Sequence, residues 1–175
     1  MFSVIAGAEL LTDIEVGFGV STAAGGTVVG ETVSWFVFND DDGDATAGLS
    51  LLGSGSHTIV NEDFATNGVV DTINLGSGIN VSGDGFVFIA LSYTDATGTN
   101  FIAAQDQTAS ASNSWAVISD PADAAAWAGG GLIDGFGLPG NWIIRGVGGP
   151  KAVPEPATAG LLAIGLVGLV SRRRR

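Results

Sequence analysis

The densest group of side chains that could bind a ligand is the acidic run Asn39-Asp40-Asp41-Asp42-Gly43-Asp44. Calcium takes several oxygen ligands, and a glycine-containing aspartate loop can curl to supply them. The run is not an EF-hand, because the position that should hold a bidentate glutamate is Leu51 or Gly53. Two interpretations stay open: a turn whose aspartates accept hydrogen bonds from backbone amides, and a looser Ca2+ site. The candidate calcium ligands are Asn39, Asp40, Asp42 and Asp44.

Catalytic chemistry has little support in the residue types. His57 is the only histidine, and the absence of cysteine excludes a thiolate nucleophile and a thiolate metal site. The segment Gly53-Ser54-Gly55-Ser56 has the wrong order for the Gly-x-Ser-x-Gly nucleophile elbow. The 18 acids allow many carboxylate pairs for glycoside hydrolysis, but no spacing singles out one pair. We expect His57 to be a strand-edge residue and the protein to be no enzyme, with a secreted hydrolase as the remaining catalytic alternative.

The four tryptophans could stack against sugar rings or pack in the core. Trp35 and Trp142 lie within apolar runs and are predicted to be core residues. Trp115 and Trp127 lie among polar or small residues and are the candidates for ligand stacking, although packing is the alternative for them too. Arg145 lies in an apolar strand, where an unpaired buried charge is expensive, so we expect it to pair with a carboxylate, with contact to an anionic ligand as the alternative.

Short β-strands must position these residues. Residues 32–39 and 85–94 are rich in β-branched and aromatic side chains on both faces, which predicts buried central strands. Further strands are predicted at residues 14–20, 49–52, 57–60, 69–75, 101–105, 114–118 and 141–147. One short helix is predicted at residues 121–127, with Asp120 as its N-cap. The pattern is typical of an all-β fold, an antiparallel β-sandwich.

Glycines between these runs suit turn positions with positive φ. They are Gly25, Gly26, Gly43, Gly53, Gly55, Gly76, Gly78, Gly83 and Gly85.

Charge divides the chain into two unlike parts. Residues 1–150 hold 17 acids and one base, a net charge of −16, whereas residues 151–175 hold five bases and one acid, a net charge of +4. So acidic a body excludes nucleic acid as a partner, because that function needs a basic surface. The predicted organisation is an N-terminal segment (1–8), an acidic β-sandwich domain (9–150), a linker (151–156), a transmembrane-like helix (157–171) and an arginine-rich terminus (172–175).

The tail has the character of a membrane-directed segment. Residues 157–170 carry no charge and are apolar all round, unlike an amphipathic helix that packs on a core. As a helix they would span about 21 Å, a marginal length for a bilayer. Four arginines follow, which suits a cytoplasmic stop under the positive-inside bias. They are Arg172, Arg173, Arg174 and Arg175.

Three features in order, Val153-Pro154-Glu155-Pro156, a glycine-containing apolar stretch and the terminal arginines, resemble the PEP-CTERM protein-sorting signal of Gram-negative bacteria. The resemblance covers residues 152–175. It implies an exosortase, a membrane transpeptidase-like enzyme, as partner, with processing near Pro154-Glu155-Pro156. It further implies transient anchoring in the inner membrane by the single C-terminal hydrophobic helix, removal of that helix, and a final place at the cell surface or outside the cell.

Export of this kind begins with a signal peptide. Residues 1–8 have no basic n-region, and Glu9 arrives before a full apolar h-region. We therefore expect a leader upstream of Met1.

The body has a second resemblance, carried by Asn39-Asp40-Asp41-Asp42-Gly43, Ala103-Ala104-Gln105-Asp106, Ser114-Trp115 and Gly140-Asn141-Trp142-Ile143-Ile144-Arg145. In this order they are similar to jelly-roll β-sandwich modules appended to secreted bacterial proteins, which are non-catalytic and carry over no active site. The resemblances together imply an exported surface or matrix protein, structural or adhesive, associated with extracellular polysaccharide as in a biofilm. A calcium-dependent carbohydrate-binding module is the alternative.

Overall fold

The computed structural model describes residues 2–3, 9–19, 29–40, 43, 48–81, 85–92, 103–106, 114–116, 131–137 and 140–150. The strands are β1 (Phe2–Ser3), β2 (Leu10–Val16), β3 (Thr32–Asp40), β4 (Leu49–Thr58), β5 (Asp71–Asn80), β6 (Phe86–Ser92), β7 (Gln105–Asp106), β8 (Trp115–Ala116), β9 (Gly131–Leu132), β10 (Asn141–Trp142) and β11 (Ile144–Gly149). Helix α1 (Phe64–Asn67) and a 3-10 helix (Ile133–Phe136) are one turn each.

The strands form two main antiparallel sheets and two short ribbons. One sheet has the order β1-β6-β3-β4, and the other has the order β11-β2-β5. The ribbons pair β10 with β7 and β8 with β9. Strand β3 is central and pairs with β4 along its whole length, from Thr32 opposite Thr58 to Asp40 opposite Leu49. The predicted central strands at residues 32–39 and 85–94 are confirmed as β3 and β6, and the antiparallel all-β class is confirmed with them.

One apolar core lies between the two main sheets. Its largest fully buried side chains include Ile14 from β2, Ile73 from β5 and Val37 from β3. Val87 and Ile89 add the inner face of β6. Because both sheets contribute to the same cluster, they pack face to face as a β-sandwich. The predicted C-terminal helix lies outside the described residues.

A second apolar cluster covers the opposite face of the four-stranded sheet. Successive side chains of a strand point to opposite faces, so Phe36 and Phe38 face away from Val37 and its core. Their rings stack with centroids 6.4 Å apart. Phe38 and Phe88 are buried there, and Trp115 packs against them. This sheet is therefore covered on both faces, which explains why β3 and β6 are apolar throughout.

Strand β4 corrects the prediction of separate strands at residues 49–52 and 57–60. It runs without a break from Leu49 to Thr58. A Cβ atom at Gly55 would lie 2.6 Å from Cζ2 of Trp35, and one at Gly53 would lie 2.7 Å from Cδ1 of Ile79. The expectation that these two glycines mark a turn is wrong: they lie inside the strand because large neighbours occupy the space of their side chains.

Strand β5 also passes through expected turn glycines. Gly76 and Gly78 take φ values of 66° and 79°, as expected, but the strand continues to Asn80. Strand β2 begins and ends four residues earlier than predicted, and the segment predicted at 141–147 divides into β10 and β11. Helix α1 and the 3-10 helix were not predicted. The helix predicted at residues 121–127, and Gly25, Gly26 and Gly83, lie outside the described residues.

Candidate functional site

Three of the predicted site residues lie in the described part of the chain: Asn39, Asp40 and Trp115. The remaining ones lie outside it. They are Asp42, Asp44, Trp127, Val153, Pro154, Glu155, Pro156, Arg172, Arg173, Arg174 and Arg175.

Asp40 ends strand β3 and closes a tight turn. Its side chain is fully buried, and its Oδ1 accepts a hydrogen bond of 2.8 Å from the backbone amide of Gly43. Gly43 takes a φ of 77°, and a Cβ atom there would lie 2.9 Å from the ring of Phe86. On the other side, a Cβ atom at Gly85 would lie 3.0 Å from the carbonyl oxygen of Asp40. This hydrogen bond is the one that the turn interpretation of residues 39–44 requires.

The described residues contain no group of three or more His, Cys, Asp or Glu side chains that could hold a metal ion. Asn39 and Asp40 are therefore the part of the candidate calcium site that can be placed, at the carboxyl end of β3.

The only histidine forms a contact that the sequence did not predict. Nε2 of His57 in β4 lies 3.1 Å from Oδ2 of Asp71, the first residue of β5. Asp71 is buried, and its Oδ2 also accepts a hydrogen bond of 2.8 Å from the amide of Val60. Its Oδ1 accepts one of 2.9 Å from the amide of Thr72. The carboxylate thus ties the outer strand of one sheet to the outer strand of the other.

This arrangement gives His57 a structural role. β4 is the outer strand of its sheet, so His57 is a strand-edge residue as expected. Its ring nitrogen and the Asp71 carboxylate hold each other, and no hydroxyl of a described residue joins the pair. Nothing in the sequence distinguishes Asp71 from the other 17 acids. Only the packing of the two sheets brings it to His57.

The sequence motifs of the body meet around Trp142. Its indole Nε1 donates a hydrogen bond of 3.1 Å to the carbonyl oxygen of Trp115, and its amide donates one of 3.0 Å to Oγ of Ser114. Trp142 also lies opposite Gln105 in the β10–β7 ribbon. Ser114-Trp115 and the segment around Trp142 are therefore parts of one structural unit.

Gly17 is the point where this unit joins the main sheet. Its amide donates to the carbonyl oxygen of Ile143 at 2.8 Å, and its own carbonyl oxygen accepts from the amide of Ala104 at 2.7 Å. The amide of Ile143 donates to the carbonyl oxygen of Ala104 at 2.9 Å, so each of the three residues is hydrogen-bonded to the other two. A Cβ atom at Gly17 would lie 2.7 Å from Cγ of Phe64, so the approach requires glycine.

The placement of the tryptophans separates them by role. Trp35 and Trp142 pack against the main core, which confirms their prediction as core residues. Trp115 is half-buried against the second cluster, and its indole nitrogen is buried. As placed, Trp115 covers the phenylalanine face of the four-stranded sheet, which is the face that carries Phe36, Phe38 and Phe88.

Arg145 pairs with a carboxylate, as predicted. Its partner is Glu15, directly opposite on β2. The expectation that Arg145 pairs because it is buried is wrong, however, since its side chain is 66% exposed. The pair lies on the outer surface of the three-stranded sheet, where such pairs contribute little to stability.

Among the described residues, no helix has the length and apolar character needed to cross a membrane.

The body and tail together define a class: an acidic antiparallel β domain followed directly by a C-terminal signal. Residues 152–175 match the model of the PEP-CTERM protein-sorting motif, so the resemblance noted in the tail is confirmed. The chain thus carries a PEP-CTERM signal and is an exosortase-targeted, exported protein, whose signal implies a cell-surface or extracellular location. No curated protein and no solved structure matches the chain.

Proposed function

We propose that the protein is a structural or adhesive component of the cell surface or extracellular matrix, with a non-catalytic, jelly-roll-like β-sandwich associated with extracellular polysaccharide. The observation that carries this proposal is the sorting motif at residues 152–175. In the proposed route, the apolar tail anchors the chain in the inner membrane, and exosortase cleaves near Pro154-Glu155-Pro156.

The position of the last strand supports processing without loss of the fold. Strand β11 ends at Gly149, and the motif begins at residue 152. The core residues and the hydrogen bonds described above all lie within residues 2–150. Cleavage within the motif therefore leaves every one of these contacts in place.

The role of His57 supports a non-catalytic body. A histidine that acts as a general base needs a nitrogen within hydrogen-bond reach of the proton it takes. In this protein the ring is 17% exposed, and Nε2 is held by the buried Asp71. In a Ser-His-Asp triad the carboxylate holds one ring nitrogen and the other faces the nucleophile, whereas no hydroxyl of a described residue bonds to the His57 ring.

The charge of the body favours particular sugar polymers. With a net charge of −16 in residues 1–150, it repels acidic polysaccharide unless a cation bridges the two. We therefore expect direct association with neutral extracellular polysaccharide.

Intact-mass analysis of the exported protein tests the processing step. The full gene is expressed in a host with an exosortase and in the same host without it. We expect the exported form to lack the residues after about Pro156, and the form from the exosortase-deficient host to keep them. The double variant Pro154→Ala/Pro156→Ala should remain unprocessed, whereas Pro150→Ala, a proline outside the motif, should be processed normally. An exported species that retains Arg172 to Arg175 would refute the proposal.

Co-sedimentation with neutral polysaccharide from the host tests the adhesive role separately. Binding that persists in EDTA supports the proposal. Binding that EDTA abolishes supports the calcium-dependent carbohydrate-binding module instead, and no binding at all contradicts the polysaccharide association.

A further inference from the structure

The outer edge of strand β4 has the properties of a pairing surface. β4 is ten residues long and is the last strand in the order β1-β6-β3-β4. Among the described residues, no strand pairs with its outer side. Such an edge presents a row of backbone amide and carbonyl groups that can accept another strand.

This edge lacks most of the features that usually prevent pairing, and its one irregularity is a bulge at Leu52, where the register against β3 shifts. Proteins protect exposed edges with charged residues, prolines, bulges or very short strands. Residues 49–58 contain no proline, lysine, arginine or acid, and His57 turns inward to Asp71. Leu51 and Leu52 are instead 48% and 38% exposed, respectively. The strand is thus long, uncharged and partly apolar at the place where protection is expected.

The charge pattern of the body identifies the partner. Residues 45–61 carry no acid, lysine or arginine, which makes them the longest stretch without these residues in a body with net charge −16. On the neighbouring β5 the only charge is Asp71, which is 3% exposed. A foreign partner selected by charge would be basic and would be drawn to the acidic surfaces. Two copies of this chain repel each other at those surfaces, and the β4 edge is where they can approach without like charges.

We infer that two copies of the chain associate through antiparallel pairing of β4 with its own symmetry mate. A strand that pairs with itself in this way forms a two-fold, closed interface. The pairing would join the two four-stranded sheets into one continuous sheet of eight strands.

The side of the sandwich that carries the β4 edge is available for pairing after export. β4 lies beside β5, and β11 lies beside β6 at the opposite side of the two sheets. The sorting motif follows β11, so the chain leaves the sandwich on the side away from β4. In this respect the inference rests on the proposed surface role, because attachment through the tail would leave the β4 edge open to a neighbouring copy.

Cysteine cross-linking of the full chain in detergent tests the pairing, and the chain offers a clean background because it has no cysteine. Ser54 lies at the middle of β4 and is exposed, so in Ser54→Cys the two sulfurs come within reach of a disulfide. Val29→Cys places a cysteine at a position that is 53% exposed and lies outside β4. We expect mild oxidation to convert most of Ser54→Cys to a covalent dimer, with at least about tenfold less dimer from Val29→Cys. Equal cross-linking of the two variants would overturn the inference.

The protein mass in solution, by light scattering after size exclusion in detergent, gives a second measurement. Wild type should be dimeric, Ser54→Lys monomeric because two like charges meet at the centre of the paired strands, and Val29→Lys dimeric. Circular dichroism checks that all three are folded. A monomeric wild type, or a Ser54→Lys variant that stays dimeric, contradicts the inference. Both experiments keep the motif intact and need no cleavage, so their failure is distinct from a failure of exosortase processing.

Discussion

The indole Nε1 of Trp142 donates a hydrogen bond to the carbonyl oxygen of Trp115, 3.1 Å away and 27 residues earlier in the chain. This bond links the β10–β7 ribbon to the β8–β9 ribbon, and through Trp115 to the phenylalanine face of the four-stranded sheet. A candidate for ligand stacking, Trp115, and a predicted core residue, Trp142, are thereby joined in one internal contact.

Phenylalanine substitutions at these two positions should have unequal effects. Trp142→Phe leaves a half-buried carbonyl without its donor, and we expect it to lower the free energy of unfolding by about 1–2 kcal/mol beyond the loss of ring volume. Trp115→Phe removes a buried indole N–H that has no hydrogen-bond partner in the described part of the chain, so its cost should be smaller. Urea unfolding of both variants measures the difference. Equal losses of unfolding free energy in the two variants would contradict the hydrogen bond from Trp142 to the carbonyl oxygen of Trp115.

Gly17→Ala should destabilise the sandwich because the new Cβ atom would lie 2.7 Å from Cγ of Phe64 and 2.8 Å from Cγ2 of Ile143. Overpacking of this kind costs about 1–3 kcal/mol. Gly149→Ala is the matched control, since a Cβ atom there meets nothing within 4 Å. The melting temperature of each variant provides the measurement. If Gly17→Ala were as stable as Gly149→Ala, the close approach of β2 and α1 would be wrong.

Loss of Asp71 should cost more than loss of its histidine partner. Asp71→Ala leaves the amides of Val60 and Thr72 without their acceptor as well as the ring of His57, so we expect a loss of about 2–4 kcal/mol. His57→Ala leaves the carboxylate with its three backbone donors, the amides of Val60, Asn61 and Thr72, and should cost less. Urea unfolding at neutral pH compares the two. A larger loss in His57→Ala would show that the ring, and not the amide contacts, holds the two sheet edges together.

Asp40→Ala distinguishes the two interpretations of the acidic run. Because Oδ1 of Asp40 accepts a hydrogen bond from the Gly43 amide, we expect the variant to melt at a lower temperature by the same amount in millimolar Ca2+ and in EDTA. Wild type should likewise melt at the same temperature in both. A ligand that binds only the folded state raises its stability. A calcium-dependent rise in wild type that Asp40→Ala abolishes would therefore establish the calcium site.

The sequence predicts the central strands well because their residue types indicate a buried strand without any knowledge of the rest of the fold. β3 and β6 are covered on both faces, so β-branched and aromatic residues occupy nearly every position. β4 is different: from sequence alone, Gly53 and Gly55 indicate a turn. Their actual role depends on Trp35, which is distant in sequence and fills the space beside Gly55.

The candidate site shows the same limit. The motifs around Ala104, Ser114 and Trp142 are visible in the sequence, but each hydrogen bond that unites them involves at least one backbone atom, and the sequence does not show which residues these bonds join. The His57–Asp71 contact depends on how two sheet edges align. The sorting motif could be predicted because its evidence is local and ordered: a Pro-Glu-Pro segment, an apolar stretch and arginines.

The register of β2 and β11 has a mechanical consequence for a protein held at a surface. Leu10, the first residue of β2, is opposite Gly149, the last residue of β11. A tether at the C-terminal side of the body would pull on the ladder at this one pair. Force applied at this end breaks the hydrogen bonds of the ladder one after another, because the load is not shared along the strand. The β2–β11 ladder would thus be the first element to yield under tension, and the β3–β4–β6 sheet would outlast it.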